Sequence, residues 1–198
     1  LASSAVGFRN KAASENASAV GYGNNANALA ASAVGYNNTA GGVGSSTIGY
    51  NNTATNENAS AFGFSNTASG DNANAFGYNN IASGSKSNVF GTGNTVSGSS
   101  STAVGTANEV AAENSTAIGN NNTISSGAEN SAALGNNISI SLKDSVALGN
   151  NSTATAINSV TGNSSYTKWA GVSDVVGVVS VGSSGATRQI QNVAAGQV

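Results

Sequence analysis

Gly7, Gly21, Gly35, Gly49, Gly63, Gly77, Gly91, Gly105 and Gly119 stand fourteen residues apart, and after one sixteen-residue step the series resumes at Gly135 and Gly149. A register this long requires one small unit stacked on itself, which makes the chain a solenoid. Such a fold offers columns of like residues along a surface rather than a pocket lined by different ones. Only 7% of the residues are charged and 6% aromatic, a composition that by itself allows disorder. The fourteen-residue order argues against that, because a disordered chain has no reason to keep glycine and apolar residues in phase.

With each glycine at position zero, the residue before it is always large and apolar, from Val6, Val20 and Val34 through Phe62, Phe76 and Phe90 to Leu134 and Leu148. The residue two before is mostly small, as in Ala5, Ala19, Ala33, Ala61 and Ala75. That alternation predicts a short strand. A second apolar column, Ala12, Ala26, Ala40, Ala54, Ala68, Ala82, Val96, Val110, Ile124, Ile140 and Ala154, predicts a second strand in every coil. Three residues after glycine comes Asn10, Asn24, Asn38, Asn52, Asn66, Asn80, Asn94, Asn108 and Asn122. Asparagine tolerates the left-handed conformation and bonds nearby backbone, so this column is read as a tight corner, with stacked amides bonding between copies.

The residue after glycine forms an aromatic ladder, Phe8, Tyr22, Tyr36, Tyr50, Phe64 and Tyr78, which then gives way to Thr92, Thr106, Asn120, Asn136 and Asn150. It shares strand parity with the large apolar column. Packing inside or between chains accounts for it, and Tyr22, Tyr36, Tyr50, Phe64 and Tyr78 are also the candidate ligand-binding stripe, tyrosine being an amphipathic interface residue. A coil of fourteen residues encloses little apolar volume, so burial against other copies is expected.

The chain has no His, Cys, Pro or Met. Ser-His-Asp and Cys-His catalysis are therefore closed to it, and so are thiolate metal sites. The formal charge of −2 gives no nucleic-acid footprint. Glu15, Glu57, Asp71, Glu109, Glu113, Glu129, Asp144 and Asp174 are read as scattered through corners, without the fixed offset of a calcium-binding repeat. No catalytic, cofactor or metal site is predicted, and the chain is not expected to be an enzyme. The numerous Asn-x-Ser/Thr triplets follow from repetition in a chain rich in those residues.

Three segments carry a more specific signature: Asn114-Ser115-Thr116-Ala117-Ile118-Gly119, Asn130-Ser131-Ala132-Ala133-Leu134-Gly135 and Asp144-Ser145-Val146-Ala147-Leu148-Gly149. Near the end stand Ser180-Val181-Gly182 and the run Arg188 to Gly196. Together these resemble the head repeats and neck of the trimeric autotransporter adhesins with YadA-like heads. The resemblance implies an all-β, left-handed parallel β-roll, homotrimeric, whose neck leads to a coiled-coil stalk. It assigns residues 1–163 to the head and 164–198 to an enlarged neck. It also implies a bacterial cell-surface protein anchored in the outer membrane only through a C-terminal barrel that this chain lacks. In the neck, Trp169, Arg188, Gln189 and Asn192 are expected to be structural, Trp169 as a plug at the base of the roll. Arg188 is expected to bond backbone, or Asp174 of another subunit.

The implied function is attachment to host extracellular matrix proteins of the collagen, fibronectin and laminin class, or to host cells. A structural spacer projecting another binding head is the alternative. A third reading, an ice-binding face, starts from the column Thr39, Thr53, Thr67, Thr95, Thr123 and Thr153, which Lys11, Asn25, Ile81 and Glu109 interrupt.

Overall fold

Small and β-branched residues in short alternating runs, separated by residues that accept a left-handed backbone, make a chain that turns back on itself every fourteen residues. The computed structural model describes residues 2–157 and 175–191. Each coil from Ser4 to Ile140 contributes a five-residue strand, such as Ser18–Tyr22 or Ser60–Phe64, and a two-residue strand, such as Asn25–Ala26 or Thr67–Ala68. The longer strands, finishing with Val146–Leu148 and Val179–Ser180, build a 12-stranded parallel sheet. The shorter ones build an 11-stranded parallel sheet. The result is a parallel β-solenoid of about eleven turns, with no helix among the described residues.

From Gly7 to Gly135 each glycine of the column pairs with its copy, as Gly21 does with Gly35 and Gly77 with Gly91. The sixteen-residue step leaves this register intact, since Gly119 pairs with Gly135. The two extra residues are absorbed in the turn around Ser126 and Gly127, which are exposed. Two left-handed residues turn most coils. One stands two after the glycine, as Asn37, Asn51 and Asn79 do at φ 53, 57 and 54°, and the other five before it, as in Asn16, Asn58 and Asn114. The conformation turns the first of these N–H groups onto the coil before, where Asn51 donates to the Tyr36 carbonyl at 2.9 Å. The asparagines three after glycine are therefore not the left-handed corner. They are the buried residues just beyond it.

Their burial is complete or nearly so from Asn24 to Asn122. Asn66 shows why that is tolerated. Its Nδ2 donates to Asn52 Oδ1 at 3.1 Å, to the Phe62 carbonyl at 2.9 Å and to the Gly77 carbonyl at 2.7 Å. Its Oδ1 accepts from the backbone and side-chain nitrogens of Asn80. A buried amide with its donors and acceptor all engaged carries no desolvation penalty left over. The rest of the interior is mainly alanine, widening to Val96, Val110, Ile124 and Ile140 in the later coils. A serine column adds a second polar ladder there, with Ser101 Oγ accepting from Ser115 N at 3.0 Å and Ser115 Oγ from Ser131 N at 3.1 Å.

The last rung comes from far along the chain. Val146 pairs with Val179, and Val178 N–H donates to Ser145 Oγ at 3.0 Å, as the next serine in the ladder would be met. The repeat-like stretch Asn158–Gly162 lies outside the described residues, and the edge it would extend is taken by Val179–Ser180.

Candidate functional site

In the five-residue strands the side chains three before, one before and one after the glycine share one face, and those two before share the other. The alanines two before are inside, with Ala19, Ala33, Ala61, Ala75 and Ala103 fully buried. The large apolar column therefore points outward. Val34 is 36% exposed, Ile48 46% and Leu134 51%. A protein interior normally takes its largest apolar side chains, and here the longer strands turn mostly alanine inward, because one turn of this length leaves little room between its two sheets. The outer face consequently carries a column of large apolar residues along its length.

The aromatic ladder lies on that same face, beside the aliphatic column. Tyr22, Tyr36, Tyr50, Phe64 and Tyr78 are all exposed, and their rings stack in a single row. Tyr36 and Tyr50 have ring centroids 4.9 Å apart with planes 3° from parallel, and Tyr50 and Phe64 are 4.8 Å apart at 4°. A shorter ladder runs alongside in the aliphatic column itself, Phe62 to Phe76 at 4.9 Å and Phe76 to Phe90 at 5.3 Å. Beyond the aromatics come Thr92 and Thr106, and then Asn120, Asn136 and Asn150 continue the outer column as an amide ladder, with side-chain bonds of 2.7 and 2.8 Å. Twelve strands about 4.8 Å apart and about 13 Å wide make an outer face of roughly 700 Å². Only part of it is apolar: the aliphatic column and the aromatic half-ladder form an exposed stripe beside the mostly Ser, Thr and Asn residues that begin the strands, and an apolar stripe of that length marks an interaction surface.

The other broad surface, outside the two-residue strands, is polar. Its register sets Thr39, Thr53 and Thr67 side by side, with Ile81 and Glu109 interrupting the row further on. At the corner between the sheets the coil geometry corrects the reading of the carboxylates as scattered. Glu15, Glu57, Asp71, Glu113 and Glu129 occupy one column, each lending its carbonyl to the left-handed residue of the following coil, as Glu57 does to Asn72 and Glu129 to Asp144. Leu29 and Val43 fill the same column between them and are exposed. Neutral coils separate Glu15 from Glu57 and Asp71 from Glu113, and the two-residue insertion sets Glu129 sixteen rather than fourteen residues after Glu113, so the column is hidden in the linear sequence. Among the described residues no three acidic groups meet closely enough to hold a metal ion.

Of the four neck candidates, Trp169 and Asn192 lie outside the described residues, as does Asp174. Arg188 folds back on the end of the roll in its own chain. Its guanidinium donates to the Val181 carbonyl at 2.7 Å, to Ser152 Oγ at 3.2 Å and to the Asn150 carbonyl. It also packs over Gly149, where an added Cβ would lie 3.1 Å from its guanidinium carbon. Gln189 is exposed, with its Oε1 accepting from Gln191 at 3.4 Å.

The outward direction of the large residues was the feature that the sequence reading left open. The signal that distinguishes it is size, since the mostly alanine column marks the inside of a thin coil. Among protein families, the model for the YadA head domain repeat matches residues 2–24, 12–38, 40–66, 54–80, 68–94, 97–122 and 143–160, over half of the chain. A search of curated proteins gave no matching relative.

Proposed function

Because the chain belongs to the YadA head-repeat family, an adhesin family of bacterial surface-exposed autotransporter passengers, we propose that it is the head of a homotrimeric adhesin that attaches cells to host extracellular matrix. The observation that carries this reading is the combination of head repeats along the solenoid with an uninterrupted column of large apolar side chains on the outer face. Such a face in water is a standing cost of about 25 cal/mol for every apolar Å² left uncovered. Three copies packed about that face remove the cost and leave the polar surface of each roll outermost.

On this reading the aromatic stripe Tyr22, Tyr36, Tyr50, Phe64 and Tyr78 belongs to the seam between chains, and the ligand meets the threonine-bearing surface and the acidic corner. The segment 164–198, with Trp169, Arg188, Gln189 and Asn192, serves as the neck that gathers the three rolls. Collagen, fibronectin and laminin are repetitive, and so is the head. Many weak contacts on three equivalent surfaces then sum through effective concentration, at the outer membrane of the cell.

The test is binding to immobilised collagen, fibronectin and laminin by the chain fused to a trimeric coiled coil, with a monomeric form as control. Saturable binding by the trimer, roughly a hundredfold tighter than by the monomer, is expected. Failure of the trimer to bind any of the three, or cultured host cells, would contradict the adhesin reading and favour a spacer.

A further inference from the structure

Repetition makes Asn-x-Ser/Thr triplets numerous in this chain, but the coil decides which asparagines carry them. The buried asparagines from Asn24 to Asn122 never do, because the residue two beyond each is an inward Ala, Val or Ile, as in Asn38-Thr39-Ala40 and Asn122-Thr123-Ile124. Among the described residues the triplets start instead on exposed left-handed corners. Asn37, Asn51, Asn121, Asn137 and Asn151 stand two after a glycine, and Asn16, Asn58 and Asn114 five before one. Asn150, the acceptor that is off a corner, is exposed as well. At the first corner asparagine and hydroxyl go together: all five have Thr or Ser two residues on, and Asn79 alone has Ile81. Where that corner is Arg9, Gly23 or Ala107, the residue two on is Lys11, Asn25 or Glu109, and only Ser65 and Gly93 break the association.

We propose that the corner asparagines of these triplets are N-glycosylation sites, each taking a single hexose from a nucleotide-activated donor. This goes beyond the adhesin reading and does not rest on the homotrimer. The hydroxyl two residues on marks the acceptor, and with no Pro in the chain no triplet is blocked at its middle position. The acceptor amide nitrogen attacks the anomeric carbon of the hexose. The C–N bond forms as the bond from that carbon to the nucleotide diphosphate breaks. The diphosphate leaves with the electron pair, and the amide proton passes to a base of the transferase. The fold has room for the product at the corners and not inside. Asn51 turns its corner with its backbone, donating N–H to the Tyr36 carbonyl at 2.9 Å, and its side chain stands in water. Asn52 beside it is buried, with Nδ2 committed to Asn38 Oδ1 and to the Ile48 and Gly63 carbonyls. Asn37 and Asn51 lie on successive coils, as do Asn121, Asn137 and Asn151. Coils about 4.8 Å apart leave each corner the width of one sugar ring, so branched glycans on successive corners would overlap. That spacing selects a single hexose.

The test is peptide mapping by mass spectrometry of the protein isolated from the cells that make it. The mass of one hexose is expected on Asn37, Asn51, Asn121, Asn137 and Asn151, and none on the buried Asn38 and Asn52. Asn79 is the internal control, an exposed left-handed corner of the same column without the hydroxyl. It is expected to stay bare. Thr53→Ala, made in the same cells, is expected to strip the hexose from Asn51 alone, and Thr53→Ser to keep it. Both changes lie on the outer side of a two-residue strand, and unaltered β-sheet circular dichroism checks that the fold is kept. Bare asparagines at all five corners of the isolated protein would overturn the proposal. So would a hexose on Asn79 as often as on Asn51, or its persistence on Asn51 in Thr53→Ala. Branched glycans on successive corners would overturn the single hexose.

Discussion

Gly77→Ala is expected to cost about 3 kcal/mol or more, enough to lower a urea midpoint by roughly 1.5 M at an m value near 2 kcal/mol/M. Gly77 holds φ +123°, and a Cβ there would lie 2.1 Å from the carbonyl oxygen of Gly91. That oxygen cannot move aside, because Asn80 Nδ2 donates to it at 2.7 Å and the coil behind it repeats the same contact onto Gly105. The strain is thus backbone against backbone, in a stack where each coil fixes the next. Gly127→Ala supplies the contrast, since nothing lies within 4 Å of a Cβ there, and it is expected to stay within about 0.5 kcal/mol of the parent. Urea unfolding followed by circular dichroism measures both. Equal midpoints for the two variants would contradict the close stacking of the glycine column.

Asn66→Leu is expected to destabilise by about 3–6 kcal/mol, although leucine has nearly the shape of asparagine and suits an interior. Three donated bonds vanish, to Asn52 Oδ1 and to the Phe62 and Gly77 carbonyls. Two accepted bonds vanish with them, leaving the backbone N–H of Asn80 without its acceptor while Asn80 Nδ2 keeps the Phe76 and Gly91 carbonyls. Each buried group left unpaired costs about 1–3 kcal/mol, and the sum is held below simple addition by relaxation of the coils. Breaking a mid-ladder rung also interrupts coupling between the coils on either side, as expected where stability is carried by nearest neighbours. Thermal unfolding in two separate steps would accompany the loss. A variant as stable as the parent would mean that the amide ladder is an accommodation and not a source of stability.

The fourteen-residue step, the two strands of each coil and the parallel stack follow from glycine and from the large-small alternation in the chain. Alternation does not say which parity is inside, and for that the interior volume has to be considered. An interior filled by Ala19, Ala33 and Ala61 has no space for Phe62 or Phe76, so the apolar residues that ordinarily mark a core mark the outer surface here. The asparagine column was legible as a ladder but placed one residue too far along as the left-handed corner. Its neighbour varies among Arg9, Gly23, Asn37 and Ser65, as an exposed corner allows, whereas a buried rung with five bonds admits asparagine alone. The partners of Arg188 were not legible in detail. They depend on Val179 returning to Val146 across thirty-three residues, a pairing outside the repeat period.

The most direct test of this account is the mass of the chain in solution, read by light scattering at tens of micromolar. The unmodified chain is predicted to run at three times the 19.1 kDa of one copy. Val34→Glu with Ile48→Glu, which places two charges on the outer face and none in the interior, is predicted to run as one copy while keeping its β-sheet circular dichroism. An unmodified chain that remains a single copy at that concentration, its apolar face open to water, would contradict the account.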